Sequence, residues 1–470
     1  MKILFVKPSF SDSFNKSITQ PLGIMYLCSY LRSKRKGKDL LRILDMRCYG
    51  KHSEQMLSDE IKAFKPDIIA VSSLTVERQQ LHNVANIAKV LQPHVIVIVG
   101  GPHATAYPQE TLSNVNIDYI IMGEGEETFT TLIEHIENKD DMHSIPAIGF
   151  RIDKKVYLVS RPNDHLALNQ LPFPAWDLID REVYFGLRSM AAVGLRRYMC
   201  ISTSRGCPYK CIFCHNINGK KWRARSIDNI IEEIENLQNN YQINEFEIID
   251  DCFNLEYKRT VDFFKRIIDK NLKIKIQFPN GLRADLLDES IIKLMKRAGV
   301  NYMAFAVESA STRLQKKINK NIDLQRVNSM IDYAFRSRIY VSGFFMMGFP
   351  EETKREVLMT ISFAVKSRLS QALFFFAVPY GNTELFKYYK ENKTFSDKKE
   401  RDLFNEHYFK SKVNLSRVPD RLLFCLNKYA YIRFYFSIRR LIYFFRCHPS
   451  RNDRRFILRI LKRVLVQCFT

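Results

Sequence analysis

A chain of 470 residues, 46% of them hydrophobic, has the length for two or three domains, each burying its own core. Ten cysteines without a paired framework exclude a disulfide-stapled secreted module, and no run approaches the roughly 18 apolar residues of a spanning helix. The formal charge of +23 is uneven, with thirteen Lys and Arg against two Asp in residues 417–470, which points to an acidic partner surface.

The opening Met-Lys-Ile-Leu-Phe-Val-Lys-Pro is charged too soon for a signal peptide, so the expected location is cytoplasmic. Apolar runs rich in β-branched residues come next, at 3–6, 42–45, 68–72, 95–99 and 119–122. Each precedes an amphipathic segment, at 22–32, 54–64, 79–91, 108–113 and 126–137. This alternation predicts a doubly wound, flavodoxin-like parallel sheet over residues 1–145. Ligands of such sheets bind outside the carboxyl ends of the strands. Gly50, Gly100, Gly101, Gly123 and Gly125 stand there and permit close backbone approach.

Residues 146–192 read as a linker, with a hairpin strand at 152–160 and the extended Leu171-Pro-Phe-Pro-Ala-Trp-Asp177. Residues 193–390 alternate again, with strands expected at 198–204, 246–249, 275–278, 302–307, 341–347 and 373–377. Polar residues and glycines come after each run, where parallel barrels build their sites. The prediction is a partial (β/α)6 TIM-type barrel. Residues 391–470 read as a basic, aromatic-rich helical region.

The chemistry is concentrated in Arg205-Gly-Cys-Pro-Tyr-Lys-Cys-Ile-Phe-Cys-His215. Cys207, Cys211 and Cys214 form C-x-x-x-C-x-x-C, a loop of soft thiolates suited to three corners of a [4Fe–4S] cluster. One iron would then be left open. The alternative is structural zinc with His215 as fourth ligand, but zinc sites usually pair cysteines with a second distant pair, and this chain has no second C-x-x-C.

The triad, with Phe213 before its last cysteine, resembles the radical S-adenosylmethionine (SAM) enzymes. Trp222-Arg-Ala-Arg-Ser226 and the helix expected at 227–237 resemble the subgroup with an N-terminal cobalamin-binding domain, and the resemblance covers roughly residues 1–390. It implies that SAM chelates the open iron and is cleaved by a cluster electron to methionine and a 5′-deoxyadenosyl radical. It assigns Phe213 to adenine, Asp250 and Asp251 to the SAM amino group, and Glu308 to the ribose hydroxyls. Gly343, Gly348 and Gly381 would shape the SAM cavity. Cys200 and Cys252 are off the spacing and read as core thiols.

The cobalamin signature D-x-H-x-x-G, S-x-L, Gly-Gly is matched by Asp45, Gly50, Ser72, Leu74, Gly100 and Gly101, except that Arg47 replaces the histidine. Arginine has no lone pair to give cobalt, so cobalamin would bind without a protein ligand, and His103 reads as a loop histidine. The resemblance implies a C-methyltransferase acting on an unactivated carbon through methylcobalamin, with flavodoxin or ferredoxin as electron donor. An oxidative cyclase or rearrangement enzyme on the same domains is the alternative. A non-catalytic metal- or nucleic-acid-binding protein would leave the cysteine loop unexplained, and no nucleic acid is expected as partner. A methylthiotransferase would need three cysteines in the first domain, which has Cys28 and Cys48. No catalytic side chain is named by the sequence.

Residues 454–467 fit a helix with Ile457, Ile460, Leu461 and Val464 on one face and Arg455, Arg459, Lys462 and Arg463 on the other. With the aromatic band at 429–445, this predicts docking on anionic membrane and a lipid-like small-molecule substrate.

Overall fold

The computed structural model describes residues 1–10, 17–160, 165–215, 218–392 and 413–449, with Leu403, Phe409 and Ser411. Its contacts divide into two units, Met1–Arg188 and Ser189–Thr470. No helix among the described residues is long and apolar enough to cross a membrane. The helix expected at 454–467 lies outside the described residues.

The first unit begins β1 (Lys2–Lys7), α1 (Leu22–Lys34), β2 (Leu40–Asp45), α2 (Ser53–Phe64), β3 (Ile68–Ser72), α3 (Arg78–Leu91) and β4 (Ile96–Gly100). It continues α4 (Pro102–Ala106), α5 (Pro108–Thr111), β5 (Tyr119–Ile121), α6 (Glu126–Asn138), β6 (Ile148–Ile152), β7 (Lys155–Leu158) and α7 (Arg181–Phe185). The sheet order is β2-β1-β3-β4-β5-β6-β7. Strands β1 to β5 are parallel, and β6 and β7 add antiparallel to the β5 edge. The 2-1-3-4-5 order is doubly wound, with its switch point between β1 and β3.

Period-two alternation divides the core of this unit. Leu4, Val6, Ile69, Val71, Val97 and Val99 pack with Leu57, Ile61, Leu81 and Val84 on one face. Ile3, Phe5, Ile68, Ala70 and Ile98 pack with Ile24, Leu31, Phe129 and Leu132 on the other. Burial on both faces is why these strands read as unbroken apolar runs.

The second unit begins β8 (Met199–Ile201), β9 (Ser204–Arg205), β10 (Arg223–Ala224), α8 (Ile227–Tyr241), β11 (Glu245–Ile248), α9 (Tyr257–Asp269) and β12 (Lys275–Leu282). It continues α10 (Glu289–Arg297), β13 (Val300–Glu308), α11 (Thr312–Lys317), α12 (Leu324–Arg336), β14 (Tyr340–Met347), α13 (Lys354–Lys366) and β15 (Gln371–Phe376). The described helices end with α14 (Glu384–Asn392), α15 (Asp420–Tyr435) and α16 (Ile438–Cys447). Helix starts obey local capping chemistry: Ser226 caps α8, and Thr353 with Glu356 forms a capping box on α13.

Six parallel strands run in the order β15-β14-β13-β12-β11-β8. In parallel sheets of sequential order the crossover helices fall on one face, and the opposite face is the inner one. Two expectations change in detail. The strand expected at 198–204 is broken, because Ser204–Arg205 instead pairs antiparallel with Arg223–Ala224 across the cysteine loop. The strand expected to stop at 278 runs on to Leu282 through a register irregularity that absorbs Gly281.

The edge of β15 is finished by side chains of α15. Tyr431 Oη accepts from Phe374 N (3.1 Å) and donates to Phe374 O (3.2 Å). Tyr435 does the same at Ala372 N (3.3 Å) and O (2.9 Å). Four helix residues advance about 6 Å and two strand residues advance about 6.6 Å, so the two spacings match.

Helix α16 lies at the amino ends of the strands. His448 stacks edge-on against Tyr340, the first residue of β14, and bonds Ala192 O at 2.8 Å. Arg440 is 4% exposed and donates to the carbonyls of Ala364, Val365, Ser367 and Leu369. It closes the end of α13, whose dipole favours a cation there. Arg440 is therefore not a membrane-facing charge.

Candidate functional site

In the second unit the cysteine loop leaves β9 through Gly206, whose φ of +84° and contact with the Lys221 carbonyl leave no room for a Cβ. Four backbone bonds then shape and anchor it. These are Cys207 N to Gly219 O (3.3 Å), Cys214 N to Cys211 O (3.2 Å), Ile212 N to Ile318 O (3.1 Å) and Leu385 N to Ile212 O (2.8 Å). The Arg283 guanidinium lies over Tyr209 at 4.0 Å, and Phe213 packs against Phe349 at 5.4 Å.

Hydrogen bonding from Cys252 draws the Cys207 thiol down, against the opposing effect of burial. Burial pushes Cys214 up to about 12 and also raises Cys211. Such thiols lose their protons on binding metal. Among the described residues, the group whose ligand atoms converge within 4.8 Å is His82, His103 and Glu110, not the three cysteines. Thiols on one loop that do not meet at a point fit three corners of a cluster better than one tetrahedral ion.

The two expected aspartates differ. Asp250 is 3% exposed, and its carboxylate accepts from Thr203 N (2.6 Å), Thr203 Oγ1 (2.5 Å) and Ser204 Oγ (2.6 Å). That carboxylate is committed inward, so the amino-group role expected of it does not follow from its geometry. Asp251 faces the loop, accepting from Gly206 N (3.1 Å) and Asn218 Nδ2 (2.9 Å). Cys252 is buried, as expected of a core thiol, but it also partners Cys207.

Glu308 ends β13 in the left-handed region at φ +66°, a conformation that costs a non-glycine residue on the order of 1–3 kcal/mol. Burial raises its carboxyl, with the Lys320 ammonium pulling the other way at 3.3 Å. Gly348, at φ +90°, donates its N–H to Glu352 Oε2 at 2.7 Å, and Phe349 N donates to the same oxygen at 3.2 Å. Gly343 has a packing reason: a Cβ would meet Leu369 Cδ1 at 2.5 Å. Lys320, Arg283 and Glu352 belong to this end of the sheet and carried no motif in the sequence.

In the first unit the expected residues fall at neighbouring strand ends. Arg47 takes Asp45 in a forked pair, Nε to Oδ1 (2.8 Å) and Nη2 to Oδ2 (2.6 Å), and also reaches Thr19 O (2.7 Å). Tyr184 donates to Asp45 Oδ2 at 2.9 Å. Burial opposes the Arg47 charge, but Asp45 more than offsets it and holds the guanidinium protonated.

Lys7 Nζ pairs with Glu77 at 2.5 Å and reaches Ser72 O at 3.2 Å, while Glu77 accepts from Leu74 N at 2.7 Å. Gly101, at φ +89°, lies so close that a Cβ would be 2.8 Å from Ser72 Oγ. His103 N donates to Ser73 O (3.1 Å) and its Nε2 meets Glu110 Oε2 at 2.9 Å. The Ser72–Leu74 and Gly100–His103 loops are thus tied together, whereas Gly50, at φ +54°, meets nothing within 4 Å of a built Cβ. Open backbone at Gly50, an exposed Leu74 and no imidazole at position 47 fit a corrin held without a protein ligand to cobalt.

The chain matches the Radical SAM superfamily over residues 201–364 and the B12 binding domain over residues 15–133. It is 34% identical over 399 residues to the uncharacterized methyltransferase PH0819 of Pyrococcus horikoshii, covering 83% of each chain. It is 29% identical over 439 residues to cytidylyl-2-hydroxyethylphosphonate methyltransferase of Streptomyces wedmorensis, covering 82% of this chain and 81% of that one. Among solved structures, the radical SAM methyltransferase TsrM from Kitasatospora setae, with tryptophan and a SAM analogue bound, superposes with a TM-score of 0.66 at 17% identity. That match covers 82% of this chain and 75% of TsrM.

Proposed function

The chain belongs to the radical SAM enzymes that carry an N-terminal B12 binding domain, and from that premise we propose that it transfers a methyl group to an unactivated carbon of an apolar small molecule. Its cofactors are a [4Fe–4S] cluster, SAM and cobalamin. Together these supply radical initiation and a carried methyl group.

The protein's part is to hold and shield. Cys207, Cys211 and Cys214 bind the cluster irons, Asp251 braces their loop, and Phe213, Glu308 and Gly348 border the SAM seat. Gly50, Ser72, Leu74, Gly100 and Gly101 receive cobalamin, and the Asp45–Arg47 pair occupies the place of a cobalt-ligating histidine. The observation that carries the reading is this pairing on one chain: a three-thiol loop on one sheet and a locked arginine at the ligand position of the other. The methyltransferase names of two relatives favour methyl transfer over cyclisation.

An apolar substrate is supported by the inner face of the second sheet. Phe344, Leu373 and Phe375 alternate there with buried outer residues and remain half-exposed, and Phe409 packs on Phe375 at 4.9 Å. Such a wall excludes water around reactive carbon. A flavodoxin or ferredoxin as electron donor belongs to the same proposal. Membrane docking through α16 does not serve it, because that helix closes the end of the sheet opposite the cysteine loop.

The test is anaerobic reconstitution with iron, sulfide and hydroxocobalamin. Electron paramagnetic resonance of the reduced corrinoid should show no splitting from a protein nitrogen. With a low-potential reductant supplied to reduce the corrinoid, SAM labelled in its methyl group should pass the label to the corrinoid fraction and leave S-adenosylhomocysteine. A cluster-loaded enzyme that cleaves SAM without labelling the corrinoid would favour the cyclase or rearrangement chemistry instead.

A further inference from the structure

Cys207 follows β9 and Cys252 follows β11, and their side chains are hydrogen-bonded to each other. The other two thiols of the loop turn to backbone carbonyls, Cys211 to Asn319 O at 3.6 Å and Cys214 to His215 O at 3.3 Å. Spacing in the sequence joins Cys207 to those two, yet the fold sets it against a different thiol.

The contact is braced from both sides. The residues just before the two cysteines are joined, Gly206 N donating to Asp251 Oδ2 at 3.1 Å, and Asn218 Nδ2 reaches the same oxygen at 2.9 Å. Cys207 N donates to Gly219 O at 3.3 Å. Cys252 O accepts from Trp222 Nε1 at 2.9 Å and from Ser204 Oγ at 3.5 Å. Moving the two segments apart would break these bonds. Cys207 is half-buried on its loop and Cys252 is 4% exposed, so a solute meets Cys207 first. An accessible thiol beside a buried one is the arrangement of an attacking and a resolving cysteine.

We propose that Cys207 and Cys252 form a redox modification site, closing to a reversible disulfide when the cluster-free chain meets a low-molecular-weight disulfide such as oxidised glutathione. The Cys207 sulfur attacks one sulfur of the oxidant, giving a mixed disulfide and releasing one thiol. The Cys252 sulfur then attacks the Cys207 sulfur and releases the second thiol. The two cysteines lose two electrons and two protons, and the oxidant gains them. The bond keeps Cys207 from iron and guards it against irreversible oxidation to the sulfinic and sulfonic acids. The effect on iron rests on the reading in which Cys207 is a cluster ligand; the bond itself does not.

The test exposes the full-length chain, cluster-free and cluster-loaded, to oxidised glutathione under anaerobic conditions. Remaining thiols are alkylated and the peptides mapped by mass spectrometry. Trypsin cuts after Lys210 and so separates Cys207 from Cys211 and Cys214. In the cluster-free wild type the Cys207 and Cys252 peptides should appear joined, two hydrogens lighter than their sum, and dithiothreitol should part them. Cys252→Ser should stop at the mixed disulfide, with glutathione retained on Cys207. A lasting glutathione adduct on wild-type Cys207, or Cys207 joined to Cys211 or Cys214, would overturn the proposal. Full alkylation of both thiols after exposure would overturn it as well. The cluster-loaded chain should resist, because iron holds the Cys207 sulfur. Should it form the same bond while keeping its iron and sulfide, the disulfide would stand and the assignment of Cys207 to the cluster would fall.

Discussion

Single side chains at the carboxyl end of the second sheet carry the sharpest consequences. Each of Cys207, Cys211 and Cys214 supplies one thiolate of a three-thiolate loop, so alanine at any of them should remove most iron on reconstitution. Cys252→Ala should keep the iron, because Cys252 partners Cys207 rather than the metal. Iron loss from Cys252→Ala as complete as from Cys211→Ala would reassign the ligands. Glu352 offers a pH readout. It is fully buried, Oε1 has no partner among the described residues, and burial raises its carboxyl to about 8. With a folded value above the unfolded one of roughly 4.3, the folded state binds the extra proton between them. Its contribution is therefore complete below about pH 4 and lost as pH rises through 8. Glu352→Gln should flatten that slope, stabilising the protein at pH 8 relative to wild type, as read by denaturant midpoints at pH 5.5 and 8.

Among elements, strands are legible in the sequence and their edges are not. The apolar runs at 3–6 and 68–72 are buried on both faces, so composition alone betrays them. The strand read as ending at 278 runs on to Leu282, because a strand irregularity absorbs Gly281. The aromatic band at 429–445 reads as an interfacial surface. A stripe that meets lipid and a stripe that meets a strand edge share the same helical spacing, and only the contacts of Tyr431 and Tyr435 separate them. The roles of Cys252, Lys320 and Arg440 depend on partners up to 76 residues away in the chain, beyond any local pattern. Arg440 gives this level its prediction. Arg440→Met would leave four carbonyls at the end of α13 unanswered and should destabilise the second unit by roughly 2–4 kcal/mol. Hydrogen exchange should quicken first at the end of α13 and in residues 367–369.

For the whole molecule, two sheets present different endings to two kinds of cofactor. The first offers glycine backbone and a neutralised arginine, suited to a large planar ligand that needs room. The second offers soft thiols, a buried ion pair and an apolar wall, suited to an iron–sulfur cluster with SAM. The charge of +23 explains less than its size suggests. Arg47, Arg283 and Arg440 are spent on internal pairs, stacking and helix ends, and do not face a partner.

The tyrosine finish on β15 has an implication for how such enzymes diversify. A phenol gives and receives at one atom, so a single residue can answer both backbone groups of an edge position without providing a strand. The sheet can then stop at six strands while staying sealed against recruitment of another chain. Helix α15 is thereby released from any duty to be β-structure. It must only present a hydroxyl once per turn, leaving the rest of its surface free to change with substrate.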